Sequence, residues 1–495
     1  MSRRRLAGGA VVLGAACLFA GWCRAQTGTV PLLLRNPAGL RHPSWPMTTG
    51  VPFPRDTLRD AAGVTLLNSA GQRVPAQVRV SSTWAPAGAA RWLLLDFQAP
   101  LDGAPLSRWR LCYEGGAAPL LKPPQEIAIR DLDAGKAWEF STGPLTFVVR
   151  RDRFDGIHRV ALGSTLVVRA NPESGPYVVD GEGTVFRASL GAPDSVTIEE
   201  RGALRCVVAA KGWFYAADGT TYCRYAMRIH AYAGQPFVKT FFTFIVTESS
   251  GKARFRDIGF HVAYTDVGQT FFGADPGCVY ESVPGHSSAF LLQYDSDKYV
   301  VRPGDGTPQW ESGSSGKRAA GWMRTDSAVA RAPSLTLACR DFWQQFPKEL
   351  EVLGDRGVRF HAWPAHGVAK PDRPVTDAML QYLWFCHEGD TLDFTVPASY
   401  HAHAKEYSEY AYRYLRSAKD ADAIGLAKTH ELLLWFHDAD ASAAVSATMN
   451  AWQEAPVVMA APEWMCGTGV FGRLHPYDSE RFPKVEQGLS KGWDA

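Results

Sequence analysis

Three things are missing from this 495-residue sequence, and each absence removes a class of protein. No CxxC pair occurs among its nine cysteines, which argues against a zinc ribbon or a thioredoxin-like redox site. The stretch KTHELLLWFHD, from Lys428 to Asp438, opens like a zinc-protease helix. However, Leu434 stands where the second histidine of HExxH must be, four residues after His430, so the two imidazoles cannot share one helical face. The only long apolar run, Leu6 to Phe19, is short for a permanent membrane span. Charge is also scarce in the net: removing residues 1–25 takes away four arginines and no acid, and moves the balance from +2 to −2. That is no electrostatic footprint for nucleic acid or for a membrane surface.

What is present at the N-terminus reads as an export signal. A basic head (Arg3, Arg4, Arg5) precedes the apolar run, and small residues lead to a cleavage expected after Ala25. The expectation is a bacterial secreted or periplasmic protein. Seven cysteines remain after cleavage; they are scattered, and Cys206 and Cys223 are candidates to bridge neighbouring strands in an oxidising compartment.

The body is β in character. Residues 26–130 hold short apolar runs such as VPLLLRN, RWLLLDFQA and RWRLCYEGG between Gly, Pro, Asn and Asp, which predicts a small antiparallel β domain. From 131 onward strand-length runs follow closely. In TYCRYAMRIHAY, Cys223, Tyr225, Met227, Ile229 and Ala231 alternate with Tyr222, Arg224, Ala226, Arg228 and His230, the period-two pattern of a half-buried strand. So many runs predict a large two-sheet sandwich, extending to about residue 475 with a few embedded helices. GDGTPQWESGSSGK, residues 304–317, reads as an exposed loop. HAKEYSEYAYRYLRSAKDAD and DASAAVSATMNAWQEAP read as helices, the second with Asp440 or Ser442 as N-cap. KTHELLLWFHD between them reads as a strand covered on both faces. His430 shares one face with Leu432, Leu434 and Phe436, and Glu431 shares the other with Leu433 and Trp435, so the two cannot form one catalytic pair.

TTGVPFPRDTL, RIHAYAGQPFVKTFFTF, CRDFWQQFPKELEV, KTHELLLWFHD and GVFGRLHPYDSERFP together resemble the exo-rhamnogalacturonan lyase-like family that includes the YetA-like bacterial proteins. The resemblance spans roughly residues 30–495. It implies a RIFT-type β-barrel (26–130), a central antiparallel β-sandwich (131–475) and a C-terminal α/α toroid. Residues 476–495 are enough for one helix, so the toroid is expected to be truncated at its start. The implied activity is β-elimination on rhamnogalacturonan or another uronate-containing glycan. A non-catalytic glycan-binding fragment and a glycoside hydrolase are the alternatives.

A lyase must neutralise a uronate carboxylate, remove the proton alpha to it and protonate the leaving oxygen. The candidate catalytic residues are His430, Lys428, Arg473 and His475, the last two placed by GRLHPYD beside the expected toroid. The candidate substrate-binding residues are Tyr407, Tyr410 and Tyr477 as sugar platforms, with His403 and Lys405. Tyr407, Tyr410 and Tyr414 would share a helical face, which is also how a core-packing stripe looks. His401 and His403 form an HxH pair with no third ligand, so no metal site is assigned; Ca²⁺ remains a candidate cofactor and no other is implied. HAWPAHG (His361, His366) and LWFCHEGD (His387, Glu388) read as strand ends and turns, and Arg55 as a turn or domain contact. The expected partner is an acidic polysaccharide or oligosaccharide. The oligomeric state is not set by the sequence.

Overall fold

A computed structural model describes residues 28–113, 121–264, 266–275, 279–281, 288–304, 314–368, 387–395 and 422–493. The protein is mainly β, with large antiparallel sheets and few helices. No helix among the described residues is long and apolar enough to cross a membrane.

Eighteen strands between Gly175 and His437 join through hydrogen bonds into one antiparallel sheet that folds on itself as two leaves. In the first leaf, Ser195–Arg201, Arg205–Tyr215, Thr221–Tyr232, Phe237–Ile245, Ala427–His437, Ser334–Cys339 and Trp322–Ser327 lie side by side. In the second, the order is Gly175–Asp180, Arg254–Val262, Val358–Trp363, Lys348–Val352, Ala289–Asp295 and Lys298–Pro303. Between them lies the main core, with Leu432, Leu434 and Phe436 from the first leaf and Ile258, Phe260, Leu350 and Phe360 from the second. A five-stranded meander over residues 128–168 adds Phe140, Phe147 and Val160 to that core.

The alternation read in TYCRYAMRIHAY holds: Cys223, Tyr225, Met227, Ile229 and Ala231 are all buried. KTHELLLWFHD is a strand with both faces covered. Leu432, Leu434 and Phe436 enter the core between the leaves, while Leu433 and Trp435 enter a second core on the other side. That second core belongs to the N-terminal sheets, which therefore pack on the outer face of the first leaf. Glu431, on this side, pairs with Lys239 at 3.0 Å and Arg340 at 3.5 Å, pointing away from His430. Arg205 reaches from the first leaf to Asp96 of the N-terminal strand Ala90–Asp102 at 2.6 Å, a buried ion pair that holds the two bodies in register.

Three local readings need correction. Cys206 and Cys223 are both free: Cys206 lies opposite Ala231 at one end of their hairpin and Cys223 near its turn, so their side chains cannot meet. Burial pushes these thiols up to about 12 and about 11, leaving them unreactive packing residues. Within the stretch read as a loop, Ser314–Gly316 is instead a short strand on Lys298–Pro303. The helix Ser442–Trp452 is present, but neither Asp440 nor Ser442 caps it; Ser442 Oγ bonds Asp326 instead. The chain then returns to its beginning. Val457–Ala460 pairs with Gly28–Arg35, and Trp464 donates to Pro52 O at 2.7 Å. A helix at Pro483–Trp493 follows.

Candidate functional site

The residues nominated from sequence do not converge. His430 is 2% exposed, on the core face, with its ring 5.3 Å from Phe360 of the opposite leaf. Neither of its nitrogens has a hydrogen-bond partner among the described residues, and burial, reinforced by Lys348 and Lys428, pushes its pKa well below the ordinary histidine range. Such a ring is neutral packing. Lys428 is exposed two residues earlier on the same strand. Arg473, His475 and Tyr477 are exposed in the segment after the helix Pro462–Gly467, with the His475 ring 5.9 Å from Phe482. They lie on the surface of the segment that packs on the N-terminal sheets, whereas His430 faces the core between the leaves. Tyr407, Tyr410, His403 and Lys405 fall outside the described residues, as do His401 and Tyr414.

What the fold does bring together is a row on the outer face of the second leaf. In RFRDIGFHV, Asp257, Gly259 and His261 alternate with the core residues Ile258, Phe260 and Val262. In VRFHAW, Arg359, His361 and Trp363 alternate with Val358, Phe360 and Ala362. In KELEV, Glu349 and Glu351 alternate with Leu350 and Val352. Period-two side-chain direction puts all of these polar groups outward. Strand register then aligns Tyr177, Gly259, His361 and Glu349 straight across four strands. Gly259 is required there, because a β-carbon would sit 2.5 Å from the Tyr177 hydroxyl that lies over it.

His361 is the hub. Its Nδ1 donates to Asp257 Oδ1 at 2.8 Å, and its Nε2 to Glu351 Oε2 at 3.1 Å with Glu349 Oε1 at 3.5 Å. Tyr177 donates to the second Asp257 oxygen at 3.0 Å. His366 Nδ1 donates to Glu349 Oε1 at 2.8 Å, with its ring stacked on Phe290 at 4.2 Å. Burial favours a neutral His361, but Asp257 and Glu349 and the hydrogen bonds to Asp257 and Glu351 outweigh it and hold its pKa well above the usual range. His366 is raised as well, by the adjacent Glu349 carboxylate. Burial works against the charge of Glu351, yet its bond to His361 keeps its pKa lowered. Burial and Asp257 push the Tyr177 phenol well above its ordinary value. Three carboxylates thus face two imidazoles with raised pKa values and Arg359, whose Nη1 lies 4.0 Å from Glu351.

Tyr177, Asp257, His361, Glu349 and Glu351 form a buried floor. Around it, Arg187, Arg359, His366 and Trp363 are partly open to solvent. The two guanidinium groups lie 5.5 and 5.4 Å from the Tyr177 ring centre. His361 was read as a strand end or turn and is in fact central to a strand pair; His366 does follow the strand's end. The signal that could have found the site was a polar residue at every second position in three separate β-runs.

Two further features bear on ligands. Glu349, Glu351 and His366 each offer an atom to a common point, all within 4.8 Å of one another. Separately, a cleft of about 570 Å³ opens where the N-terminal sheets, the five-stranded meander and the first leaf meet, lined in part by Arg41, His42, Trp435, His437, Asp438 and Thr448. Burial lowers the His42 pKa to about 4, so its ring is neutral.

No protein-family model matches the sequence, and no curated protein does. Among solved structures, it is similar to a glycosyl hydrolase family 38 protein from Enterococcus faecalis, with 9% identity over 88% of this chain and 47% of that one, at a TM-score of 0.49. It is also similar to an alpha-mannosidase from Enterococcus faecalis V583, with 10% identity over 88% of this chain and 46% of that one, at 0.49. A galactose mutarotase related enzyme from Lactobacillus acidophilus has 12% identity over 61% of this chain and 97% of that one, at 0.27. The chain spans about half the length of the first two.

Proposed function

We propose that this is a carbohydrate-processing protein that cleaves a uronate-containing glycan, rhamnogalacturonan or a related pectic polymer, by β-elimination at the outer face of the second leaf. The observation that carries the reading is the rim of Arg187, Arg359, His366 and Trp363 above a charged His361 floor. Two guanidiniums neutralise a uronate carboxylate and acidify its alpha proton. His366, held charged by Glu349, supplies the proton that the leaving sugar oxygen needs. Trp363 offers a flat apolar surface to a pyranose ring. The proton acceptor is the one role this rim leaves open. Export to the periplasm or beyond, read from the N-terminal leader, belongs to the same proposal, because that is where the polymer is met.

A second reading, glycan binding without turnover, is favoured by the junction cleft, where the Trp435 and His42 rings lie beside Arg41 and Asp438. The test is an ultraviolet assay for unsaturated uronate on purified residues 26–495, using rhamnogalacturonan I, homogalacturonan and alginate. Absorbance that rises in the wild type and is lost in Arg359→Ala supports elimination at this face. New reducing ends without unsaturation would replace it with hydrolysis, and affinity without products would favour binding alone.

A further inference from the structure

The outer face also holds an arrangement that sugar chemistry does not require. Glu349 is fully excluded from solvent, yet only one of its carboxylate oxygens is used: Oε1 accepts from His366 and lies 3.5 Å from His361 Nε2, and Oε2 has no partner among the described residues. A buried carboxylate oxygen without a partner is costly, and a bound cation is one group that would satisfy it. Nearby, His387 is also fully buried. Its Nε2 bonds Pro364 O at 2.8 Å, and the Glu349 carboxylate acts on it electrostatically.

We propose that Glu349, Glu351 and His366 bind one first-row divalent cation of the Zn²⁺ or Mn²⁺ type, held between the strand Lys348–Val352 and the turn that follows Val358–Trp363. The three donor atoms already lie within 4.8 Å of one another. Bonds of about 2.0–2.2 Å in a tetrahedral site need donors about 3.3 Å apart, so closure takes side-chain rotation and no movement of the strands. Two carboxylates and one imidazole leave a coordination position open, the composition of a working site and not of a closed structural one. The set selects against Ca²⁺, which needs six to eight oxygen ligands, and against soft metals, which need thiolate. Binding displaces the proton between His366 and Glu349 to solvent, so a dication replaces a single positive charge and affinity should rise with pH. Sequence reading assigned no metal here, because the ligands fall in KELEV and HAWPAHG, seventeen residues apart from Glu349 to His366 and without a metal spacing.

The site shares His366 with the reaction proposed above, where an occupied site would withdraw that ring as proton donor, and its test reads binding alone, so failure of the one is distinguishable from failure of the other. Metal-free protein is titrated calorimetrically with Zn²⁺, Mn²⁺ and Ca²⁺, and the Co²⁺ form is examined by visible absorption for imidazole and carboxylate ligation. One Zn²⁺ or Mn²⁺ per chain is expected, with Ca²⁺ much weaker. Affinity should fall at least about tenfold in both Glu349→Gln and His366→Asn, since even partners of metal ligands contribute that much. His366 is partly exposed and past the strand, so its substitution leaves a folded protein to measure if Glu349→Gln does not. Absence of binding to the folded wild type would overturn the proposal. So would undiminished binding in His366→Asn, or binding abolished by replacing His401 and His403 instead.

Discussion

Two histidines in the same sandwich, almost equally hidden from water, have opposite chemistry. His430 is 2% exposed and His361 is 3% exposed. His430 faces inward, between the leaves, with both nitrogens bare and its charge suppressed. His361 faces outward from the other leaf, with both nitrogens bonded to carboxylates and its charge enforced. Burial alone therefore says little about a histidine. The face of the strand it occupies, and the residues that register places opposite it, decide whether it is packing or a proton-bearing hub. The outer faces differ as well: that of the first leaf buries Leu433 and Trp435 under the N-terminal sheets beside the Glu431 and Arg205 ion pairs, and that of the second carries the polar row.

That contrast can be broken in a definite order. His361→Ala leaves Asp257, Glu349 and Glu351 buried without their shared cation, and should cost about 3–5 kcal/mol, read from the denaturation midpoint. Gly259→Ala drives a methyl into the Tyr177 hydroxyl and the Phe360 carbonyl, and should cost about 1–3 kcal/mol with loss of the row's alignment. His430 gives the pH dependence. Its folded pKa lies below the unfolded value of about 6.5, so its contribution is present above pH 6.5 and is lost as pH falls through the folded pKa. His430→Leu should accordingly flatten the acid side of the stability profile. At pH 8 the same substitution should be the smallest effect, within about 1.5 kcal/mol and of either sign, because it replaces an unpartnered polar ring with an apolar side chain of similar bulk.

Much of the fold was legible, and the reason lies in periodicity. TYCRYAMRIHAY and KTHELLLWFHD carry their burial pattern in the sequence, and the separation of His430 from Glu431 followed from strand geometry alone. The site was much less legible. Its residues come from five strands and the turn holding His366, and no single segment holds two of the partners of His361 except KELEV. Each segment shows only polar residues alternating with apolar ones, the pattern of any half-exposed strand; register across the sheet is what turns it into a site. The expected junction with a toroid drew attention to Arg473 and His475, which the fold leaves on the surface. The return of Val457–Ala460 to the first strand was likewise invisible, because pairing over such a separation leaves no local trace.

The proposed function puts ligand chemistry on the outer face of the second leaf and not on the KTHELLLWFHD strand. The most direct measurement compares Arg359→Ala with Lys428→Ala for affinity and unsaturated-product formation on rhamnogalacturonan I oligosaccharides, with folding of each checked by circular dichroism. Loss in Arg359→Ala with Lys428→Ala at wild-type level is the predicted result. Full function in Arg359→Ala together with loss in Lys428→Ala would contradict it.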